Sequence, residues 1–203
     1  MLEQKIRAGW ERAMRPIGRL LARLGFTPNS VTIMGVLFQG AVTYFVVTGH
    51  LLIGGVIEIV AVFSDTWDGA VAKVTGKTSK FGALLDSTTD RLSDALFFLA
   101  VAWLYGVSPD PAHDGQEWVA AVSMAALVSS ILVSYVKARA QGLGFECNVG
   151  IAGRAERAIG MCAGLILNFL LPAIVCLLAV LSTITFVQRL LHVRKQAQSP
   201  RVV

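Results

Sequence analysis

Asp65-Thr66-Trp67-Asp68-Gly69-Ala70-Val71-Ala72-Lys73 is followed, after eight residues, by Gly82-Ala83-Leu84-Leu85-Asp86-Ser87-Thr88-Thr89-Asp90. This run sets four carboxylates in segments otherwise apolar enough to cross a membrane. An ionised side chain at the centre of a membrane helix costs roughly 2.5–3.5 kcal/mol, so four without partners would cost on the order of 10 kcal/mol. Cations must therefore sit among them. Asp65 and Asp68 are three residues apart and Asp86 and Asp90 are four apart, so each pair shares one helix face. Thr75-Gly76-Lys77-Thr78-Ser79-Lys80 reads as a short polar turn, which makes the two helices antiparallel. The midpoints of 65 with 90 and of 68 with 86 both fall near 77, so the carboxylates meet at matching depths. An oxygen-lined cage of this kind suits a hard divalent ion, Mg²⁺ or Mn²⁺, and four carboxylates are enough for two ions. Gly69 and Gly82 leave room beside it for a ligand or a second helix.

Two other readings compete. The Asp residues could pair with Lys73, Arg91 and other basic groups inside a helical bundle, or they could line a cation or proton pathway. A transporter more often places its charges near the midplane on broken helices. Here the cage opens toward one basic face.

The rest of the chain says membrane. It has 203 residues, 55% of them hydrophobic and 15% charged, with mean hydropathy +0.64. Apolar stretches lie near 31–48, 52–74, 82–105, 118–141, 155–170 and 172–192. A span needs about 20 residues. The expected fold is all-α: a six-helix transmembrane bundle with an N-terminal juxtamembrane amphipathic helix. Residues 1–24 form that helix, 25–195 the six-span domain and 196–203 a disordered tail. The last two spans are divided at Asn168–Pro172, since proline lacks a backbone donor and disfavours helix just before it.

With six spans, all 18 Lys and Arg residues fall on one side. The opposite loops, His50, 106–117 and 168–172, carry none, and 106–117 carries Asp110, Asp114 and Glu117. The positive-inside rule then puts both termini and the cage on the cytoplasmic side of the cell membrane. The N-terminus is too interrupted by charge for a signal peptide. Leu2, Ile6, Trp10, Met14, Ile17, Leu21 and Leu24 recur at helical spacing between Lys5, Arg12, Arg15, Arg19 and Arg23. That stripe suits an anionic membrane surface or packing against the bundle, and the two are compatible. Pro16 is expected to start a second short helix. Cys147, Cys162 and Cys176 have no metal or redox spacing, and the three His residues are scattered.

Ser134-Tyr135-Val136-Lys137-Ala138-Arg139-Ala140 closes the fourth span, Gly153-Arg154-Ala155-Glu156-Arg157 opens the fifth, and Arg189, Arg194 and Lys195 close the sixth. Lys137 and Arg154 are the better candidates for an anion site, because arginine suits bidentate phosphate contacts. Arg157, Arg189 and Lys195 read as headgroup anchors or partners of Glu156.

The run from Asp65 to Asp90 resembles the signature of the CDP-alcohol phosphotransferases, D-x-x-D-G-x-x-A-R-x8-G-x-x-x-D-x-x-x-D. Asp65, Asp68, Gly69, Ala72, Gly82, Asp86 and Asp90 match with the right spacing, and Lys73 stands where the family has Arg. Thr27-Pro28-Asn29-Ser30-Val31-Thr32 also looks like the family. The segments at 134–140 and 154–157 are similar to the actinobacterial phosphatidylinositol phosphate synthases. The resemblance implies transfer of the phosphatidyl group of CDP-diacylglycerol to inositol 1-phosphate, with release of CMP. Phosphatidylglycerophosphate synthases, which take glycerol 3-phosphate, share the same core. It further implies two Mg²⁺ or Mn²⁺ ions among Asp65, Asp68, Asp86 and Asp90, with Asp90 also the base for the acceptor hydroxyl. CDP-diacylglycerol would lie against Thr32, Gly69, Ala72 and Lys73. The acceptor's phosphate would meet Ser134, Lys137, Arg154 and Arg194. Asp94 lies outside the signature and is expected only to position Arg91. Gly160-Met161-Cys162-Ala163-Gly164 is a small-xxx-small stripe that points to a homodimer. Membrane lipids are expected partners and nucleic acid is not.

Overall fold

The computed structural model describes residues 2–108 and 114–198, with side chains from residue 13 onward. The stripe residues Leu2, Lys5, Ile6, Trp10 and Arg12, together with Asp110, lie outside the described side chains. The helices are α1 (Leu2–Arg23), α2 (Pro28–Val47), α3 (Leu51–Thr75), α4 (Lys80–Gly106), α5 (Trp118–Gly142), α6 (Arg154–Ile166) and α7 (Leu171–Gln198). No strand occurs among the described residues. Among the described residues, six α-helices follow α1. Of the described stretches, Pro28–Val47, Trp118–Gly142 and Asn168–Gln198 are long and apolar enough to cross a membrane. α3 and α4 have 25 and 27 residues, and the signature's charges lower their hydropathy. α6 has 13 residues. That is about 20 Å of helix at 1.5 Å per residue, against a hydrocarbon core of about 30 Å. Length and composition thus support an all-helical membrane protein without reaching six spans.

Two sequence expectations change. α1 runs through Pro16 without ending. A proline removes one backbone hydrogen bond, which kinks a helix and need not stop it when the amphipathic stripe continues in phase. The tail is ordered further than expected: α7 extends to Gln198. Gln196 Nε2 donates to the Glu146 carbonyl at 2.6 Å, and Glu146 N–H donates to Gln196 Oε1 at 3.1 Å. A side-chain amide that satisfies both groups of one backbone residue anchors the helix end. Residues 199–203 lie outside the described ones. The division at Asn168–Pro172 holds: α6 stops at Leu167 (φ −94°, ψ 59°), a 3-10 turn spans Asn168–Leu170, and Pro172 is the second residue of α7.

The chain forms two compact units. The first comprises Met1–Ala41 and Ile57–Ser93. In it the half-buried Met14, Ile17 and Leu21 share a face of α1 with the buried Gly18, while Arg15, Arg19 and Arg23 are exposed. A methyl group at Gly18 would lie 2.8 Å from the Ala70 backbone, so α1 rests directly on the signature segment of α3. A methyl group at Gly35 would lie 2.7 Å from Ser64 Oγ, so α2 and α3 are equally close. Val31 and Val71 are fully buried at this packing.

The second unit comprises Val42–Val56 and Asp94–Val203. α5 and α6 both pack on α7. Phe97 and Phe98 are fully buried edge to face, 5.3 Å apart, and Ser123 Oγ donates to the Phe98 carbonyl at 2.8 Å. Methyl groups at Gly160 and Gly164 would meet Leu178 at 2.8 Å and Leu171 at 2.9 Å. The small-residue stripe expected to face a second copy is used within the chain, to seat α6 on α7. Small residues permit close helix contact whichever helix is the partner.

Gly18→Ala should lower stability by about 1–3 kcal/mol, because the added carbon meets backbone that cannot turn away. The check is the thermal midpoint in detergent beside the parent. An unchanged midpoint would show that α1 does not rest on Ala70.

Candidate active site

The site in the first unit is built from two helix starts. Thr27 and Ser30 cap α2 reciprocally: Thr27 N–H donates to Ser30 Oγ at 2.9 Å and Ser30 N–H donates to Thr27 Oγ1 at 3.2 Å. Pro28 occupies the first helical position, where its missing N–H costs nothing. Gly76 turns the chain with φ +67° just beyond α3. Ser79 then caps α4, its Oγ accepting from Gly82 N–H at 2.9 Å. Both starts line one cavity of about 190 Å³, through Asn29 on α2 and Ser79 and Gly82 on α4. Helix N-termini carry partial positive charge and unpaired N–H groups, so this wall favours anions.

Thr32, Asp68, Gly69, Ala72 and Asp86, all predicted site residues, line the same cavity. Thr32 and Asp68 are buried, at 5% and 7% exposure, and the Thr32 hydroxyl donates to Asp68 Oδ2 at 2.6 Å. The hydroxyl fixes one carboxylate oxygen. Asp86 is close enough to Asp68 to repel its charge. A built methyl group at Gly69 meets nothing within 4 Å, so this glycine opens onto free space.

The convergence is partial. Asp65 and Asp90 are half-buried and do not line the cavity. Asp90 lies 3.7 Å from Arg91 Nη1, and Arg91 also donates to the Ser87 carbonyl. Among the described residues, no three His, Cys, Asp or Glu side chains come together closely enough to share an ion. Lys73 is exposed at the last turn of α3 and is not part of the cavity wall. Lys77 is part of it, and sequence reading missed this. The signal was its place in the turn between the two carboxylate helices.

The other predicted residues belong to the second unit. Ser134 and Lys137 are half-buried on α5, Arg154 is half-buried as the first residue of α6, and Arg194 is exposed on α7. Three neighbours differ from expectation. Asp94 does not pair with Arg91. Its Oδ2 accepts from Arg157 Nη2 at 2.6 Å and from Ser130 Oγ at 2.8 Å. Arg157 is 2% exposed and is no headgroup anchor. Arg189 is also buried: its Nε donates to the Val149 carbonyl at 2.9 Å and its Nη1 to the Val133 carbonyl at 2.6 Å. A charge with a buried partner gains more there than at the headgroups. Sequence spacing within one helix gives no sign of a partner dozens of residues away.

Comparison with known proteins agrees with this geometry. The profile of the family described as CDP-alcohol phosphatidyltransferase matches residues 26–188. Archaetidylinositol phosphate synthase of Pyrococcus horikoshii is 38% identical over 195 residues, covering 96% of this chain and 97% of its own. Phosphatidylinositol phosphate synthase of Cutibacterium acnes is 37% identical over 215 residues, covering 98% and 100%. The crystal structure of Mycobacterium tuberculosis phosphatidylinositol phosphate synthase with CDP-DAG bound superposes with a TM-score of 0.82 at 34% identity, covering 95% of this chain and 97% of that one. The same enzyme in complex with manganese and citrate gives 0.80 at 34% identity, covering 94% and 91%. Signature, cavity and relatives place this chain in the CDP-alcohol phosphatidyltransferase family.

Proposed function

We propose that the protein transfers the phosphatidyl group of CDP-diacylglycerol to inositol 1-phosphate, giving phosphatidylinositol phosphate and CMP. The observation that carries this reading is the cavity in which Asp68, held by Thr32, faces Asp86 beneath two helix N-termini and Lys77. Relatives of near full-length overlap bearing the synthase name support it.

A divalent ion fits the donor set. Asp68 and Asp86 offer hard oxygens, and their mutual repulsion is what a cation relieves. Asp65 and Asp90 lie one turn away on the same two helices and would complete a site for two Mg²⁺ or Mn²⁺ ions. Such ions supply charge stabilisation for the diphosphate and for departing CMP. Thr32 keeps one Asp68 oxygen oriented. Gly69 and Ala72 leave space for the nucleotide, and Lys77 with Lys73 supplies positive charge at the turn. The acceptor hydroxyl oxygen attacks the phosphorus that bears diacylglycerol, and the bond from that phosphorus to the CMP phosphate breaks. Asp90 takes the hydroxyl proton. Ser134, Lys137, Arg154 and Arg194 hold the acceptor's own phosphate, which a neutral polyol would not require. The one-sided distribution of Lys and Arg supports a multi-pass protein in the cell membrane with cytoplasmic termini and site. A homodimer would use a face other than Gly160–Gly164, which α7 covers.

The test is a side-by-side assay in vesicles containing CDP-diacylglycerol and Mg²⁺ or Mn²⁺, offering inositol 1-phosphate, inositol, glycerol 3-phosphate and serine. Inositol 1-phosphate should give the fastest CMP release and a phosphorylated inositol lipid. Equal reaction of unphosphorylated inositol, or preference for glycerol 3-phosphate, would overturn the assignment.

Four variants probe the parts. Asp68→Asn should cut turnover by about 100-fold or more while leaving membrane insertion intact, since losing an ion's ligand exceeds the effect of losing its support. Near-parental turnover, with or without chelator, would exclude ion-dependent transfer. Arg154→Gln should raise the acceptor KM by about 10- to 100-fold, the worth of one charge-assisted hydrogen bond, and leave that for CDP-diacylglycerol nearly unchanged. A parental acceptor KM would remove Arg154 from the site. Lys77→Gln should raise the KM for CDP-diacylglycerol more than Lys73→Gln does, because Lys77 lines the cavity. If neither substitution moves that KM, both lysines serve only the membrane surface.

A further inference from the structure

Five of the polar residues buried in the second unit, Asp94, Ser130, Arg157, Thr185 and Arg189, bond around the start of α6. Asp94 on α4 accepts from Arg157 on α6 and from Ser130 on α5 through the same oxygen, Oδ2. Arg157 Nη1 also donates to the Ala152 carbonyl at 3.4 Å, and Ala152 N–H donates to Thr185 Oγ1 on α7 at 2.9 Å. Ala152 is thus held on both sides, two residues before Arg154. Arg189 on α7 fastens Val149 in the same loop and Val133 on α5, the residue before Ser134. Gly150 has φ +127°, and a methyl group there would lie 2.4 Å from Thr185 Cγ2, so the loop seats on α7 at a position only glycine fits.

The spacing relates this network to the acceptor residues. Arg154 precedes Arg157 by three residues on α6. Ser134 and Lys137 follow Ser130 by four and seven on α5. Residues three, four and seven apart share a helix face, so Arg157 and Ser130 each lie a turn or two from a proposed phosphate contact. A buried ion pair stabilises a fold little compared with apolar packing of the same volume. What it does supply is a fixed register, because a short charge-assisted hydrogen bond tolerates little displacement.

We propose that Asp94 and Arg157 are positioning residues for the acceptor: their ion pair, with Ser130, sets the register of α5 and α6 that presents Ser134, Lys137 and Arg154 to one phosphate. The inference rests on the acceptor-phosphate role given to those three residues above. Neither Asp94 nor Arg157 touches the reacting groups.

The test compares the parent with Arg157→Lys, Asp94→Asn and the double variant Asp94→Leu/Arg157→Met in CDP-diacylglycerol vesicles. Each is measured for thermal midpoint and for the KM of both substrates. Arg157→Lys keeps the charge but not the planar fork, and should raise the acceptor KM by about 10-fold, the usual scale for losing a supporting contact, with the CDP-diacylglycerol KM within about twofold. The apolar double variant should regain the parent's midpoint yet keep the raised acceptor KM. A well-folded double variant with a parental acceptor KM would make the pair merely structural and overturn the proposal. Equal rises in both KM values would do the same. Should Asp94→Asn or the double variant fail to fold, Arg157→Lys decides by the same split. The parent is first tested with inositol 1-phosphate and glycerol 3-phosphate, and the variants with whichever reacts. Failure of the substrate assignment then shows in the parent, and failure of the positioning role only in the variants.

Discussion

An unpaired charge does not stay in an apolar helix, and the whole arrangement follows from how this chain meets that constraint in two ways. In one unit Asp68 of α3 and Asp86 of α4 line a cavity open to a ligand, with two helix N-termini and a lysine along its wall. In the other, Asp94 is closed off by Arg157 and Ser130. The first pair is the one proposed to hold the cations of the reaction. The second is neutralised by the protein itself and holds helices in place. Both sets are aspartates on long helices, and their neighbours separate the proposed chemical role from the architectural one.

Close backbone contact makes the first set possible. Gly18 lets α1 lie on Ala70, and Gly35 lets α2 approach Ser64, so Thr32 reaches Asp68 at 2.6 Å. Caps at Thr27–Ser30 and Ser79–Gly82 then fix where α2 and α4 begin, and so which N–H groups face the cavity. The nucleotide side of the proposed reaction depends on backbone geometry more than on bulky side chains. The acceptor side is proposed to use long basic side chains, which a rigid network would hold in place.

Much of this was legible in the sequence, because it concerns spacing along one helix or one short turn. The carboxylate pairs, the turn at 75–80 and the division at Asn168–Pro172 follow from local pattern, while Thr32, Gly69 and Ala72, singled out by the family resemblance, line the cavity. What escaped was tertiary. Arg157 and Asp94 are 63 residues apart, Arg189 and Val133 are 56 apart, and Gln196 and Glu146 are 50 apart. A basic residue at a helix end has the same pattern whether it meets a headgroup or a buried carboxylate. The Gly160–Gly164 stripe says that something packs closely, without saying whether the partner is α7 or another chain. The family pattern points to Lys73, whereas the fold of the turn brings Lys77 to the cavity.

The central claim is that the carboxylates of α3 and α4 exist to hold cations. Manganese binding to the purified protein, read by electron paramagnetic resonance, tests it without reference to turnover. The account predicts saturable binding of two Mn²⁺ per chain with the spectrum of a coupled pair, lost when Asp68 and Asp86 are both replaced by Asn. No saturable binding, or binding that survives that double replacement, would contradict it.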